Sequence, residues 1–401
     1  MTARIREALA AIEGRPLCED LVREHIAPFF SRVLTGNGSY LANHSLGRPL
    51  DGMADDVAEA TALWYRKLGD AWDEWLEERE AFRTRVARLI GAAGPDCVVP
   101  KTSAGQGLRA VLNALPGPLR VVSTRGEFDS IDLILKQYAA LGRVTLQWVE
   151  PDRQGDFSVF QLIDAVKGGT DLVVVSQVMF MTGQIMAGLD RLAKVCHEHG
   201  ARLLVDSYHA VGVIPVDVVQ MGADFVIGGS YKYLRGGPGA CYLYIAPEAL
   251  ERGLRPLDTG WFANAEPFEY RRAEVPVLKP RGDAFLESTP PVLTWYQARS
   301  GMEFTLEIAV ERLRAYSLKQ LRSLRRYLEE AGVRRMIGGD EGHGAFIAIQ
   351  LEDAMRFPAL LERERIVCDA RGEWLRLCPD CLTRDEELRF AAAALGRLVR
   401  A

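Results

Sequence analysis

The chain has 401 residues, 48% hydrophobic and 26% charged, with a formal net charge of −5. That length and composition suit a globular chain of two domains, or one large domain with a smaller one attached, with ample material for a core. The slight negative charge argues against nucleic-acid and membrane-surface partners, and no apolar run approaches the roughly 18 residues that span a bilayer. The opening stretch, MTARIREALAAIEG, lacks the continuous apolar core of a signal peptide. Seven scattered cysteines, most of them in apolar runs, read as buried free thiols of a reducing cytoplasm. Cys378 and Cys381 are the one close pair, without the further ligands of a zinc site, and no metal is expected.

Residues 2–13 and 17–34 read as short helices, followed by a turn-rich loop, Asn43-His44-Ser45-Leu46-Gly47-Arg48-Pro49. From 51 to 91 the pattern is helical, with Trp64, Trp72 and Trp75 on a core or dimer surface. Strand-like runs of Val, Ile and Leu then appear at 97–100, 120–124, 144–149, 171–178, 202–207, 224–228 and 240–246. Helical patterns fill gaps at 104–115, 128–142, 158–167 and 188–200. Continuous apolar strands alternating with helices predict an α/β fold, a mostly parallel seven-stranded sheet covered on both faces. Binding sites in such sheets gather at the carboxyl ends of the strands. After 250 a Pro-rich stretch (255–292) leads to a long helix at 293–331, short strands at 344–351, 366–368 and 374–377, and a terminal helix at 384–400. These predict a small α+β domain at 293–401, a large domain at 46–292, and an N-terminal segment, 1–45, packing with the small one.

Lys232 follows a strand-like run and precedes Gly236-Gly237-Pro238-Gly239. A lysine so placed forms a Schiff base when its amine is partly desolvated, though alone it also fits a surface residue beside a turn. Asp206, 26 residues earlier, ends an apolar run, where solvation is poor and a cationic partner is needed. The pyridinium nitrogen of pyridoxal phosphate is such a partner, and holding it protonated preserves the electron sink. A helix cap and a metal ligand are the other readings of that aspartate. In Lys101-Thr102-Ser103-Ala104-Gly105-Gln106-Gly107, the hydroxyls of Thr102 and Ser103 stand beside a helix N-terminus. That arrangement fits a phosphate site as well as an ordinary cap. Phe128 suits either a stacking face or the core, and His209 either a cofactor contact or a structural histidine. Ser176 and Gln177 end a strand and are further candidate cofactor contacts.

Asp206-x-x-His209, an intervening helix and strand, and Ser230-Tyr231-Lys232-Tyr233-Leu234-Arg235-Gly236-Gly237-Pro238-Gly239 together resemble the class V aminotransferase family of fold-type I pyridoxal phosphate enzymes. Within it the resemblance is strongest to the kynureninases, carried by Tyr40 to Gly47, Ser176 to Gly183, and Ile214 to Gly239. The resemblance implies the fold-type I architecture, pyridoxal 5'-phosphate, a homodimer with shared active sites, and an amino-acid substrate held through a Schiff base. Lys232 would bind the cofactor and move a proton, and Asp206 would pair with the pyridinium. Thr102, Ser103 and Tyr231 would hold the phosphate, and Phe128 would stack on the ring. His209 and Trp261 would line the site, and Thr289 would reach the neighbouring subunit's phosphate. Arg376 would grip the substrate carboxylate, with Asn43 and His44 on the same side; Arg371 is near enough in sequence to be mistaken for it.

The chain departs from the kynureninases at 64–72, where a histidine is missing, at Phe262-Ala263-Asn264, and at 371–383. The cofactor side is retained and the side that reads an aryl ketone is altered. Hydrolytic cleavage of a kynurenine-type substrate to alanine and an aromatic acid is the reaction implied. Transamination, epimerisation and β-elimination or desulfuration use the same carbanion, and a non-catalytic binding module is the reading from another class. Cys368, Cys378 and Cys381 stand in apolar, strand-like context rather than on the mobile loop a desulfurase needs.

Overall fold

In the computed structural model, residues 2–36, 38–153, 155–251 and 254–400 are described. A short N-terminal strand, β1 (Ser39–Tyr40), precedes the main sheet. That sheet is built from β2 (Val98–Lys101), β3 (Leu119–Thr124), β4 (Val144–Val149), β5 (Leu172–Ser176), β6 (Arg202–Asp206), β7 (Phe225–Gly229) and β8 (Cys241–Ile245). Their order is β2-β8-β7-β6-β5-β3-β4, and every neighbouring pair is parallel except those of β8, which is antiparallel to β7 and β2. β5, β7 and β8 are buried along their whole length, which is why they read as unbroken apolar runs instead of alternating ones. The α/β, fold-type I architecture expected from the sequence is the one the chain adopts.

Beyond the sheet lie β9 (Met336–Ile337), β10 (Ile347–Gln350), β11 (Ile366–Val367), β12 (Asp369–Arg371) and β13 (Trp374–Leu377). Four of them form an antiparallel sheet, β12-β13-β10-β9, while β11 pairs in parallel with β1. Leu321, Leu324 and Leu328 from the helix Val310–Glu330, and Leu388 and Leu395 from Asp385–Arg400, form an apolar cluster with Ile347, Ile349 and Leu375 of the small sheet. No helix among the described residues is long and apolar enough to cross a membrane.

Four local expectations change. The helix expected at 17–34 is the α-helical turn Glu19–Leu21, a π turn Val22–Ile26 and a 3-10 turn Ala27–Phe30, where Pro28 cannot donate to a continuing ladder. The pattern at 51–91 is two helices, Gly52–Lys67 and Trp72–Ile90, separated at Leu68 with φ 51°. The helix expected at 293–331 breaks at Ala309, with φ 72° and ψ 136°, a region almost reserved for glycine. The strand expected at 366–368 is the two-residue β11, which ends at Val367, and β12 of the other sheet starts at Asp369. The apolar pattern continues across each of these breaks, so periodicity does not register them.

The carboxyl ends of β2, β3, β5, β6 and β7 face the same way, since β2 is antiparallel to β8 and β8 to β7. They release Lys101, Thr124, Ser176, Asp206 and Gly229, followed by the segments singled out in the sequence. β3 lies between β4 and β5, so the winding reverses there and opens a crevice.

Candidate active site

A cavity of about 380 Å³ occupies that crevice. Ser103, Phe128, Ser176, Asp206, His209, Tyr231 and Lys232 all line it, although they come from five separate stretches of chain. Lys232 lies just past β7 on a loop pinned from outside: Gly47 N donates to Tyr231 O at 2.8 Å. A Cβ at Gly47 would lie 1.9 Å from the Lys232 carbonyl oxygen, so only glycine permits that approach. Lys232 Nζ is 2.7 Å from His209 Nε2 and 5.0, 5.4 and 5.6 Å from the ring centres of Tyr208, Phe128 and Tyr231. Burial draws its ammonium down to about 8; Asp206 opposes the shift and Arg376 adds to it. Burial likewise holds His209 neutral, well below the ordinary histidine range, and its Nδ1 is buried without a partner.

Asp206 is 5% exposed and accepts the Tyr208 N–H at 2.9 Å. Burial raises its pKa despite that bond and the nearby Lys232 charge. An acid in this condition is relieved by a cation set against it, which is what a protonated pyridine nitrogen provides. At another part of the lining, Ser103 caps the helix Ala104–Ala114 by accepting the Gln106 N–H at 3.1 Å. Its hydroxyl proton and the first helical amides, on the same cavity lining as Tyr231, suit a phosphate. A flat cationic ring and a phosphate are therefore both provided for, and the residues present fit pyridoxal 5'-phosphate.

Glu127 and Arg109 also belong to this region, though the sequence did not single them out. Glu127 is buried between Thr124 Oγ1 and Ser176 Oγ, each donating to it at 2.6 Å. Burial lifts it to about 7; the two hydroxyls oppose the shift and Asp206 adds to it. Its position just after an apolar strand is the same signal that marked Asp206. Arg109 lines the cavity one turn beyond Gly105, on the same helix face.

Other predicted residues lie elsewhere. Thr102 does not line this cavity, because its amide and hydroxyl both donate to Gln106 Oε1, at 2.7 and 3.0 Å. It lines a smaller pocket of about 160 Å³ with Thr289. Trp261 Nε1 donates to Thr289 Oγ1 at 3.3 Å, and neither residue lines the cavity that holds Lys232. Gln177 follows Ser176 and turns to the opposite side, as strand alternation requires, accepting the Ser207 hydroxyl at 2.8 Å.

Asn43, His44 and Arg376 lie outside the cavity lining. The Arg376 side chain, on β13, reaches the wall: Nη1 donates to the carbonyl of Phe180, whose ring lies 5.3 Å from that of Phe128. Its other edge grips Asp369, with Nε to Oδ1 at 2.9 Å and Nη2 to Oδ2 at 2.6 Å. His44 Nε2 lies 2.7 Å from the same carboxylate. Burial takes His44 down to about 4 against the pull of Asp369, and Asn43 Oδ1 is buried without a partner. Arg371 is half-exposed and 3.9 Å from Asp369, so the buried arginine of the pair is Arg376. Cys378 and Cys381 are buried free thiols, and Cys378 Sγ donates to Ala345 O at 3.1 Å.

The family profile described as Aminotransferase class-V matches residues 50–370. The uncharacterized aminotransferase YcbU of Bacillus subtilis (strain 168) is 28% identical over 344 residues, 84% of this chain and 90% of its own length. Kynureninase of Pseudomonas fluorescens is 30% identical over 310 residues, 74% of this chain and 72% of its own. Among solved structures, the cysteine desulfurase of Thermococcus onnurineus NA1 matches with a TM-score of 0.81 at 19% identity, covering 94% of this chain and 98% of that one. A C-DES mutant with glycine covalently linked to its PLP cofactor matches with 0.82 at 18%, covering 92% and 98%. A profile match over most of the length, joined to a cavity whose amine, acid and helix start suit a phosphorylated pyridine, leads to one conclusion: the chain belongs to the class-V aminotransferase family and uses pyridoxal 5'-phosphate.

Proposed function

We propose that this chain acts at the α-carbon of an amino acid, and that its reaction is hydrolytic cleavage of a kynurenine-type substrate to alanine and an aromatic acid. The observation that carries the first part is the buried Lys232 amine, 2.7 Å from a neutral His209, in a cavity it shares with Asp206. The second part draws support from the kynureninase relative and from the aromatic lining, Phe128, Phe180, Tyr208 and Tyr231.

When bound, the cofactor supplies an electron sink for the pair left on the substrate's α-carbon. Asp206 holds the ring nitrogen's proton by charge. Ser103, the amides of Ala104 and Gly105, and Tyr231 would hold the phosphate, and Phe128 would stack on the ring. Lys232 anchors the cofactor through Nζ and moves the α-proton, a task suited to an amine drawn to about 8. His209 Nε2 orients that amine. Arg376 receives the substrate carboxylate from behind Phe180.

The reading extends to a cytoplasmic homodimer, with 46–292 as its cofactor-binding domain and 293–401 joined by 1–45 as the smaller one. Trp64, Tyr65 and Leu68 are 58%, 86% and 69% exposed, a surface suited to a second copy whose Thr289 would approach this phosphate. A second reading is transamination. It is favoured by the relative described as an aminotransferase and by the altered segments at 65–72, 261–264 and 371–383. Incubating the holoenzyme with kynurenine or 3-hydroxykynurenine separates the two. Release of alanine and an anthranilate is expected. If neither appears while an amino donor converts the cofactor to its amine form, the hydrolytic reading is wrong and transamination replaces it.

A further inference from the structure

Arg376 presents a difficulty as a carboxylate anchor, since a carboxylate of the protein already occupies one edge of its guanidinium. Asp369 accepts four hydrogen bonds: two from Arg376, one from His44 Nε2 and one from Ser45 Oγ at 2.6 Å. We propose that Asp369 is a positioning residue, holding Arg376 by its Nε–Nη2 edge so that the Nη1–Nη2 edge is the one presented to the substrate carboxylate. This rests on the reading of the substrate as an α-amino acid.

A guanidinium has five N–H donors in a fixed plane. Asp369 takes one from Nε and one from Nη2, and the Phe180 carbonyl takes one from Nη1, which leaves one on each terminal nitrogen. One donor on each terminal nitrogen is what a carboxylate needs to bind the end of the fork. The Phe180 and Phe346 rings pack near the guanidinium as well, their centres 6.0 and 5.7 Å from its carbon. Arg376 is 3% exposed, and a guanidinium so buried needs a counter-charge in every state of the site.

Competition between Asp369 and the substrate for the same edge is the opposite reading. It asks the substrate to displace an acid held by four bonds. Burial alone would raise the pKa of Asp369, but His44 and Arg376 outweigh it and keep the group well below the usual carboxylate range. The acid is a fixture of the site. Two of its four donors come from the loop that carries Gly47, the residue packed on the Lys232 carbonyl. One loop thus ties the carboxylate anchor to the lysine, which fixes the distance between the two ends of a bound amino acid.

The test uses the holoenzyme and matched pairs of probes, L-kynurenine with kynuramine and L-alanine with ethylamine, titrated by the absorption change of the bound cofactor. Each amine is the amino acid without its carboxylate. Asp369→Asn keeps the side chain's size but turns an N–H2 toward Arg376. It is expected to reduce the preference for amino acid over amine by about tenfold or more. Ser45→Ala, which loosens Asp369 without touching Arg376, is expected to do so less. Amine affinity and the borohydride-fixed adduct on Lys232 are expected to stay as in the parent. The proposal is overturned if the preference is unchanged in both variants, if amine and amino acid weaken equally, or if Asp369→Asn binds the amino acid more tightly. If no α-amino acid perturbs the parent's spectrum, the amino-acid reading itself has failed, a result distinct from these.

Discussion

The acidity of Lys232 is the property on which the chemistry most depends. An ordinary lysine, with a pKa near 10.4, is neutral in roughly 0.04% of molecules at pH 7, whereas one near 8 is neutral in roughly 9%. Burial is the main cause of the shift to about 8, with Asp206 partly opposing it. Stripped of cofactor and then given pyridoxal 5'-phosphate, the protein should therefore form a borohydride-reducible adduct on Lys232 about two-hundredfold faster at pH 7 than an exposed lysine does. The rate should rise with pH and level off above 8, as the neutral amine fills. Asp206→Asn removes a charge that supports the ammonium, so the inflection should move to lower pH. Rapid quenching with borohydride, followed by peptide mapping, measures both. An inflection near 10, adducts spread over other lysines, or an upward shift in Asp206→Asn would refute this account of the site.

Asp206→Asn should also release cofactor more readily, because truncating one member of a buried charge pair costs about 2–5 kcal/mol, or roughly thirtyfold and more in affinity. Equilibrium dialysis with absorbance of the retained cofactor reads this, and unchanged retention would count against the pairing. Gly47→Ala places a Cβ 1.9 Å from the Lys232 carbonyl. Overpacking of that kind costs about 1–3 kcal/mol, so the thermal midpoint should fall; an unchanged midpoint would show the loop is not pinned there. Glu127 is raised from 4.5 to about 7 in the folded chain. The folded state then holds a proton the unfolded state has lost, so this contribution to stability is whole below 4.5 and declines as pH rises to 7. Glu127→Gln removes the dependence, and its midpoint should gain on the parent's across that window when cofactor-free protein is melted at successive pH values. Parallel curves would mean Glu127 does not hold that proton.

Seven of the predicted site residues meet on one cavity because each follows a strand or opens a helix, and parallel strands deliver such positions to one edge of the sheet. Position along the chain was informative there. It was uninformative about direction: Thr102 and Ser103 are adjacent, yet Gln106 draws the Thr102 hydroxyl out of the cavity while Ser103 lines it. Ser176 and Gln177 divide in the same manner. Resemblance marked Arg376 and His44, but not Asp369, the acid on which both converge. Nothing local to Asp369 distinguishes it from any other aspartate beside a strand.

What the amino-acid order determined by itself is what short-range physics decides: unbroken apolar runs became buried strands, and Asp206, the charged residue closing such a run, came to line the cavity. The reversed strand β8, the pairing of β1 with β11, and the helix break at Ala309 were decided by tertiary structure. So was the grouping of Asp369 with His44, Ser45 and Arg376, in which the hydrogen-bonded pair His44 and Asp369 is 325 positions apart. Arg376 faces Asp369 across adjacent strands, but His44 and Ser45 reach it only once β1 has paired with β11, and contacts between distant stretches leave no periodic trace in the chain.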